Sequence, residues 1–188
     1  CAGLAEQAAP RRVIRVIKDV TLADGSSEVA LRPADHLSLD CEIDFASAAV
    51  ARQSLRLGMV NGAFRKELAR ARTFGFLDEV ENLRSLGLAR GGSLENAIVV
   101  HDGRVLNQEG LRYEDEFVRH KALDALGDLY LAGAPIVGAF RGVRSGHAAN
   151  NRLLHALFAD PTAWRREDLT LALAQAALER GLAGEVLQ

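Results

Sequence analysis

Between His36 and Phe45 the chain alternates without a break. Leu37, Leu39, Cys41, Ile43 and Phe45 are apolar, while His36, Ser38, Asp40, Glu42 and Asp44 are polar. Successive side chains of a strand point to opposite faces, so this stretch demands a half-buried strand with one dry face and one wet one. Any fold for the chain must cover that dry face. Other strand signals cluster around it. A β-branched run from Arg11 to Val20 precedes the turn residues Ala23-Asp24-Gly25-Ser26. Val29 and Leu31 lie in a returning strand that Pro33 stops, and Gln53 to Val60 is a weaker strand.

Later the period changes. Asn61 can cap a helix through about Arg72, with Phe64, Leu68 and Ala71 at helical spacing. Asp78 to Leu86 reads as a helix capped by Gly87, and Gly91-Gly92-Ser93 as a loop. Ala97 to Val100 is then a buried strand, and His101-Asp102-Gly103 a tight turn before Val105-Leu106. Helices are expected from Glu114 to Leu131, Ala148 to Ala159 and Asp168 to Arg180, with a strand at Ile136 to Phe140. Strands first and helices later argue for an α+β layered domain, with a small β-α-β insert at about 76–106.

Composition narrows the function classes. The 188 residues suit one domain, and 23 basic against 25 acidic side chains give no electrostatic reason to bind nucleic acid. The longest apolar runs, such as Ala97 to Val100, are far shorter than the roughly 20 residues of a membrane span. Two cysteines, Cys1 and Cys41, make neither a disulfide framework nor a metal knuckle, so a reducing, cytoplasmic setting is expected. The chain begins at Cys1 rather than Met, from which a fragment or a processed chain is expected.

The segment Glu116 to Asp128 carries the chemistry. On a helix His120, Asp124 and Asp128 fall at i, i+4 and i+8 along one stripe, while Phe117, Leu123 and Leu126 point elsewhere. An imidazole and a carboxylate one turn apart can converge on a cation such as Zn²⁺, although spacing alone favours the plainer reading of a solvated pair. In Arg144-Ser145-Gly146-His147-Ala148 a histidine sits at a strand-to-helix turn behind a glycine. It is either aimed at a ligand or a helix-start residue with no role.

The run Asp115-Glu116-Phe117-Val118-Arg119-His120-Lys121, with Asp124 and Gly127-Asp128, resembles the zinc-dependent UDP-3-O-acyl-N-acetylglucosamine deacetylases of lipid A synthesis. So do Ala71-Arg72-Thr73-Phe74-Gly75-Phe76, Gly91-Gly92-Ser93 with Ala97 to Val100, and Ser145-Gly146-His147-Ala148 with Asn150-Asn151. The likeness covers nearly the whole chain, in order and at consistent spacing. It implies a two-layer α/β sandwich, one of two similar domains packed face to face about the active site, in a monomer.

Residue by residue, the resemblance makes His120 and Asp124 two of three zinc ligands. Lys121 contacts substrate and stabilises the oxyanion, His147 stabilises the oxyanion or acts as general acid, Asp128 orients His147, and the hydroxyl of Thr73 holds the oxyanion beside the zinc. Asp44 and Phe45 hold the uridine, Phe74 contacts substrate, and Arg144 keeps positive charge near the diphosphate. Val80, Ser93 and Val99 belong to the insert, which forms an apolar passage for the fatty acyl chain. Val80, Leu83, Leu88, Ala89 and Val99 are more apolar residues than so small a unit buries by itself. They line that passage or dock onto the main sheet.

One departure matters. The family's third zinc ligand and its general base are a His and a Glu in an adjacent pair, and this chain has no Glu-His or His-Glu dipeptide. The expectation is therefore residues 1–188 as the second domain alone, with the N-terminal domain of the same enzyme as its missing partner. Two ligands and no base would leave it inactive by itself. Were it active, Glu116 or His155 would have to serve as base. The rival readings are a non-catalytic module that binds a UDP-sugar or its acyl chain, and a structural domain with relict site residues.

Overall fold

A computed structural model describes residues 9–79, 87, 91 and 93–169. The alternating segment forms β4 (Ser38–Ile43), with Leu39, Cys41 and Ile43 at most 2% exposed. It lies inside a five-stranded mixed sheet with β2 (Val20–Asp24), β3 (Ser27–Arg32), β5 (Gln53–Gly58) and β10 (Ala139–Val143), in the order β2-β3-β10-β4-β5. β10 runs parallel to β4 and antiparallel to β3. Register puts Leu31, Phe140, Leu39 and Leu57 side by side on the dry face. On the wet face Asp40 sits between Arg141 and Arg56 and accepts from both, at 3.1 and 2.7 Å.

Two helices cover the dry face. α1 (Glu116–Leu129) packs on β4 and β5, and α2 (His147–Ala159) on β2 and β3, with the helices against each other. Phe117, Val118, Ala122 and Ala125 on α1 and Leu153 and Leu157 on α2 are fully buried. The architecture is thus α+β, a sheet layer under a helix layer.

A second sheet joins β1 (Arg12–Val16) to β9 (Ile136–Val137) in parallel and to β11 (Trp164–Asp168) antiparallel. The expected single strand from Ile136 to Phe140 is divided here. β9 pairs in this sheet and β10 in the main one, with Gly138 at the crossing. A Cβ at Gly138 would lie 2.7 Å from Val16 Cγ2 and 3.0 Å from the Arg32 carbonyl oxygen, so the two sheets can meet only over a glycine. The β-branched run from Arg11 to Val20 is likewise split. β1 ends at Val16, Ile17 donates its N–H to the Ala163 carbonyl, and β2 starts at Val20 in the other sheet.

The helix expected from Asn61 to Arg72 changes most. Asn61 and Gly62 both have positive φ (50° and 78°), which turns the chain where an N-cap was expected, and only Phe64–Leu68 is helical, as one π-type turn. Arg72 is then buried just before β6 instead of ending a helix. Asp168 closes β11, and Leu169, directly after it, is helical, one residue later than expected. Beyond Leu169 the helix expected to Arg180 lies outside the described residues.

The third sheet is β6-β7-β8. β6 (Thr73–Phe76) is parallel to β7 (Ala97–His101), and the hairpin through Asp102 and Gly103, both at positive φ, adds β8 (Arg104–Val105). The Asn107 side chain, 5% exposed, holds the start of β7. Its Nδ2 donates to the carbonyls of Leu94 and Ala97, and its Oδ1 accepts from the Val99 N–H. Of the helix expected from Asp78 to Leu86 only Asp78 and Glu79 are described, and both are helical, as is Leu77 before them; Val80, Leu83, Leu88 and Ala89 lie outside the described residues. Among the described residues no helix is long and apolar enough to cross a membrane.

Candidate active site

β6 and α1 meet at their beginnings. Thr73 is exposed at the start of β6, and Phe74 beside it lies edge-on to Phe117 of α1, with ring centroids 5.0 Å apart. Phe74 is also edge-on to Phe45 at 5.6 Å and to the His120 ring at 6.1 Å. These aromatic contacts set the floor of a pocket of about 450 Å³. Its wall is formed by Phe45, Thr73, Phe74, Gly75, Phe76, Glu79, His120, Lys121, Asp124 and His147. Residues far apart in sequence, on a loop after β4, on β6, on α1 and at the start of α2, thus face one space.

On α1 the i, i+4 spacing brings His120 Nε2 to 3.3 Å from Asp124 Oδ1, and Lys121 Nζ lies 3.4 Å from Asp124 Oδ2. Burial lowers the His120 pKa, with Asp124 pulling the other way, so the imidazole is held toward its neutral form. Its Nδ1 is buried and has no hydrogen-bond partner among the described residues. A neutral imidazole whose Nε2 stands beside a carboxylate is a donor set that zinc accepts. The fit is partial, because among the described residues no three His, Cys, Asp or Glu side chains are grouped closely enough to hold a metal ion.

His147 opens α2 with its side chain 70% exposed, and its Nδ1 lies 2.9 Å from Asp128 Oδ1. Asp128 does not line the pocket; it stands behind His147. Asn150, 1% exposed, donates its Nδ2 to Asp128 Oδ2 at 2.8 Å and so holds the carboxylate. Sequence reasoning gave Asn150 no role, although its i+3 position from His147 places both on one side of α2. Glu79 was also missed; it follows β6 in a segment whose apolar neighbours drew attention instead.

The other expected site residues that are described lie outside the pocket lining. Arg144, at φ 47°, forms an ion pair with Asp44, so these two neutralise each other. Ser93 caps a turn through Oγ and the Glu95 N–H, at 3.3 Å. Val99 is half-buried in β7, and Val80 lies outside the described residues. Glu116 cannot act as a base. It is fully buried and bonded to Arg72 and to the Arg112 N–H. His155 is exposed on α2 away from the pocket lining.

Residues 1–159 match the family model described as LpxC: UDP-3-O-acyl N-acetylglycosamine deacetylase. The chain belongs to that family. A UDP-3-O-acyl-N-acetylglucosamine deacetylase of Phenylobacterium zucineum is 55% identical over 93% of this chain and 60% of its own length. Proteins of the same name from Acidithiobacillus ferrooxidans and Shewanella violacea are 51% and 49% identical over 89% and 86% of the chain. The chain spans 56% and 54% of those two relatives. Every side chain lining the pocket falls within the stretch that matches the deacetylase family.

Proposed function

We propose that the chain supplies part of the site for zinc-dependent hydrolysis of the acetamide in a UDP-linked 3-O-acyl-N-acetylglucosamine. The products are acetate and the free-amine acyl-UDP-glucosamine, and the reaction is the committed step of lipid A synthesis. The observation that carries this reading is the convergence of Thr73, His120, Lys121, Asp124 and His147 on one pocket in a member of this family. His120 and Asp124 would hold the zinc, which when bound supplies a Lewis acid for the amide carbonyl and for water.

The chain's own groups would act on the developing negative charge. The Thr73 hydroxyl and the Lys121 ammonium each offer a donor toward the pocket. With Nδ1 engaged by Asp128, His147 in its charged form offers Nε2–H to the oxyanion or to the leaving amine. Phe45, Phe74 and Phe76 keep the floor apolar, which strengthens these interactions by limiting water. Asp44 and Arg144 would serve the nucleotide by parting from each other, and the strands of the insert, with Ser93 and Val99, would guide the acyl chain.

The site needs a third ligand and a general base, which we assign to a preceding N-terminal domain of the same protein. The test is acetate release from the UDP-linked substrate, with bound zinc measured alongside. The protein carrying its natural upstream sequence should turn over, and the 188-residue chain with added zinc should not. UDP-sugar binding without zinc or turnover in the longer protein would overturn the enzymatic reading in favour of a binding module.

A further inference from the structure

Behind the pocket wall lies an ion pair to which the proposed reaction gives no role. Glu116, the first residue of α1, is fully buried, and Arg72, just before β6, is 4% exposed. A buried ion pair is often no more stabilising than apolar residues of the same volume, so packing alone is a poor account of it. The geometry is specific. Arg72 donates its backbone N–H and its Nε to Glu116 Oε1, both at 3.0 Å, and its Nη2 to Oε2 at 3.1 Å. The Arg112 N–H also donates to Oε2. The bond from the Arg72 main chain matters most, because it fixes the backbone one residue before Thr73. At the other end of the pair, His120 stands one turn after Glu116. The next contact along the seam, Phe74 on Phe117, repeats the same pairing of β6 with α1 in apolar form.

We propose that the Arg72–Glu116 pair is a positioning device that sets the register of α1 against β6, and with it the placement of Thr73 relative to His120 and Asp124. The inference rests on the reading of the pocket as the deacetylase site. A two-pronged fork fixes direction as well as distance, which apolar packing does not. A slip of one helical residue is about 1.5 Å, and a misplacement of about 1 Å costs on the order of a hundredfold in rate.

The test uses the protein with its natural upstream sequence and compares wild type, Arg72→Lys and the double variant Arg72→Met/Glu116→Leu. The double variant removes both buried charges while keeping the volume. Glu109, which also pairs with Arg72 at 2.7 Å, is half exposed and left to solvent, so no buried charge remains unpaired as it would after a single truncation. The double variant's melting temperature should fall by only a few degrees, because the Arg72 and Arg112 N–H groups lose an acceptor. KM should hold within about twofold while kcat drops by roughly tenfold to a hundredfold. Arg72→Lys, with the charge but not the fork, should fall between. Independently of turnover, the imidazole ¹⁵N resonances of His120 should move in the double variant while those of exposed His155 stay in place. A double variant with wild-type kcat and unmoved His120 resonances overturns the proposal. A fall in melting temperature well beyond those few degrees, in parallel with kcat, also overturns it, since the pair would then only hold the fold. A wild type that releases no acetate overturns the reading of the function, and the His120 resonances still decide the positioning.

Discussion

Asp128 places both carboxylate oxygens on His147 Nδ1, at 2.9 and 3.0 Å, across the gap between α1 and α2. Asn150 holds the same carboxylate from one turn further along α2. The exposed imidazole is thereby oriented from behind, with its other nitrogen left for the pocket. His147→Ala should lower kcat by about 10²- to 10⁴-fold, the usual worth of a positioned acid. Asp128→Asn should lower kcat less, with KM and zinc content unchanged. Steady-state kinetics with metal analysis on the same samples would check this; zinc loss in Asp128→Asn would make Asp128 part of the metal site.

His120→Ala and Asp124→Ala should each sharply reduce the zinc retained after gel filtration of the complete protein. The two side chains share one turn of α1 and one pocket, so removing either leaves a single donor from this chain. Equal zinc in wild type and His120→Ala would exclude the ligand assignment.

Glu116→Ala should cost about 3–5 kcal/mol, because it leaves the Arg72 guanidinium buried without its main partner. At roughly 2–4 °C per kcal/mol for a chain of this size, the melting temperature should fall by about 6–20 °C. The pH dependence has a defined sign. Burial by itself raises the Glu116 pKa, but the Arg72 side chain and the backbone N–H groups of Arg72 and Arg112 outweigh it, and the pKa is lowered. A carboxyl group depressed in the folded state contributes stability that is complete above its unfolded pKa of about 4.3 and is lost as pH falls through the lowered folded value. Thermal melts from pH 6 downward should therefore show a weaker acid dependence in Glu116→Gln than in wild type.

Cys41 should be inert in the native state. Burial first, and the charge of Asp40 second, push its thiol up to about 12. The thiolate that reacts with alkylating agents is then nearly absent at pH 8. Peptide-level mass spectrometry after alkylation should find Cys41 unmodified in folded protein and fully modified in denaturant. Rapid labelling of folded protein would mean that β4 opens readily.

Gly138→Ala should destabilise the chain by about 1–3 kcal/mol, as overpacking does, since the added methyl group meets Val16 and the Arg32 carbonyl. Chemical denaturation would measure it. An unchanged midpoint would mean that the two sheets can separate at no cost.

Periodicity in the sequence determined which way each residue of β4 and α1 points. The alternation from His36 to Phe45 assigned Leu39, Cys41 and Ile43 to the dry face, and the helical stripe put His120 and Asp124 one turn apart. Local turn chemistry likewise marked Gly25 and Gly103, both at positive φ. These properties depend on a residue and its near neighbours, so one sequence carries them. What pairs with what depends on contacts between distant segments, and only the tertiary structure decided it. The charged strand Trp-Arg-Arg-Glu-Asp of β11 shows no strand pattern, because it is held to β1 by backbone bonds that side chains do not announce. The division at Gly138, the helix that stops short of Arg72, and the Arg72–Glu116 bond each answer to a partner tens of residues away. His147 meets Asp128 only because α2 packs on α1.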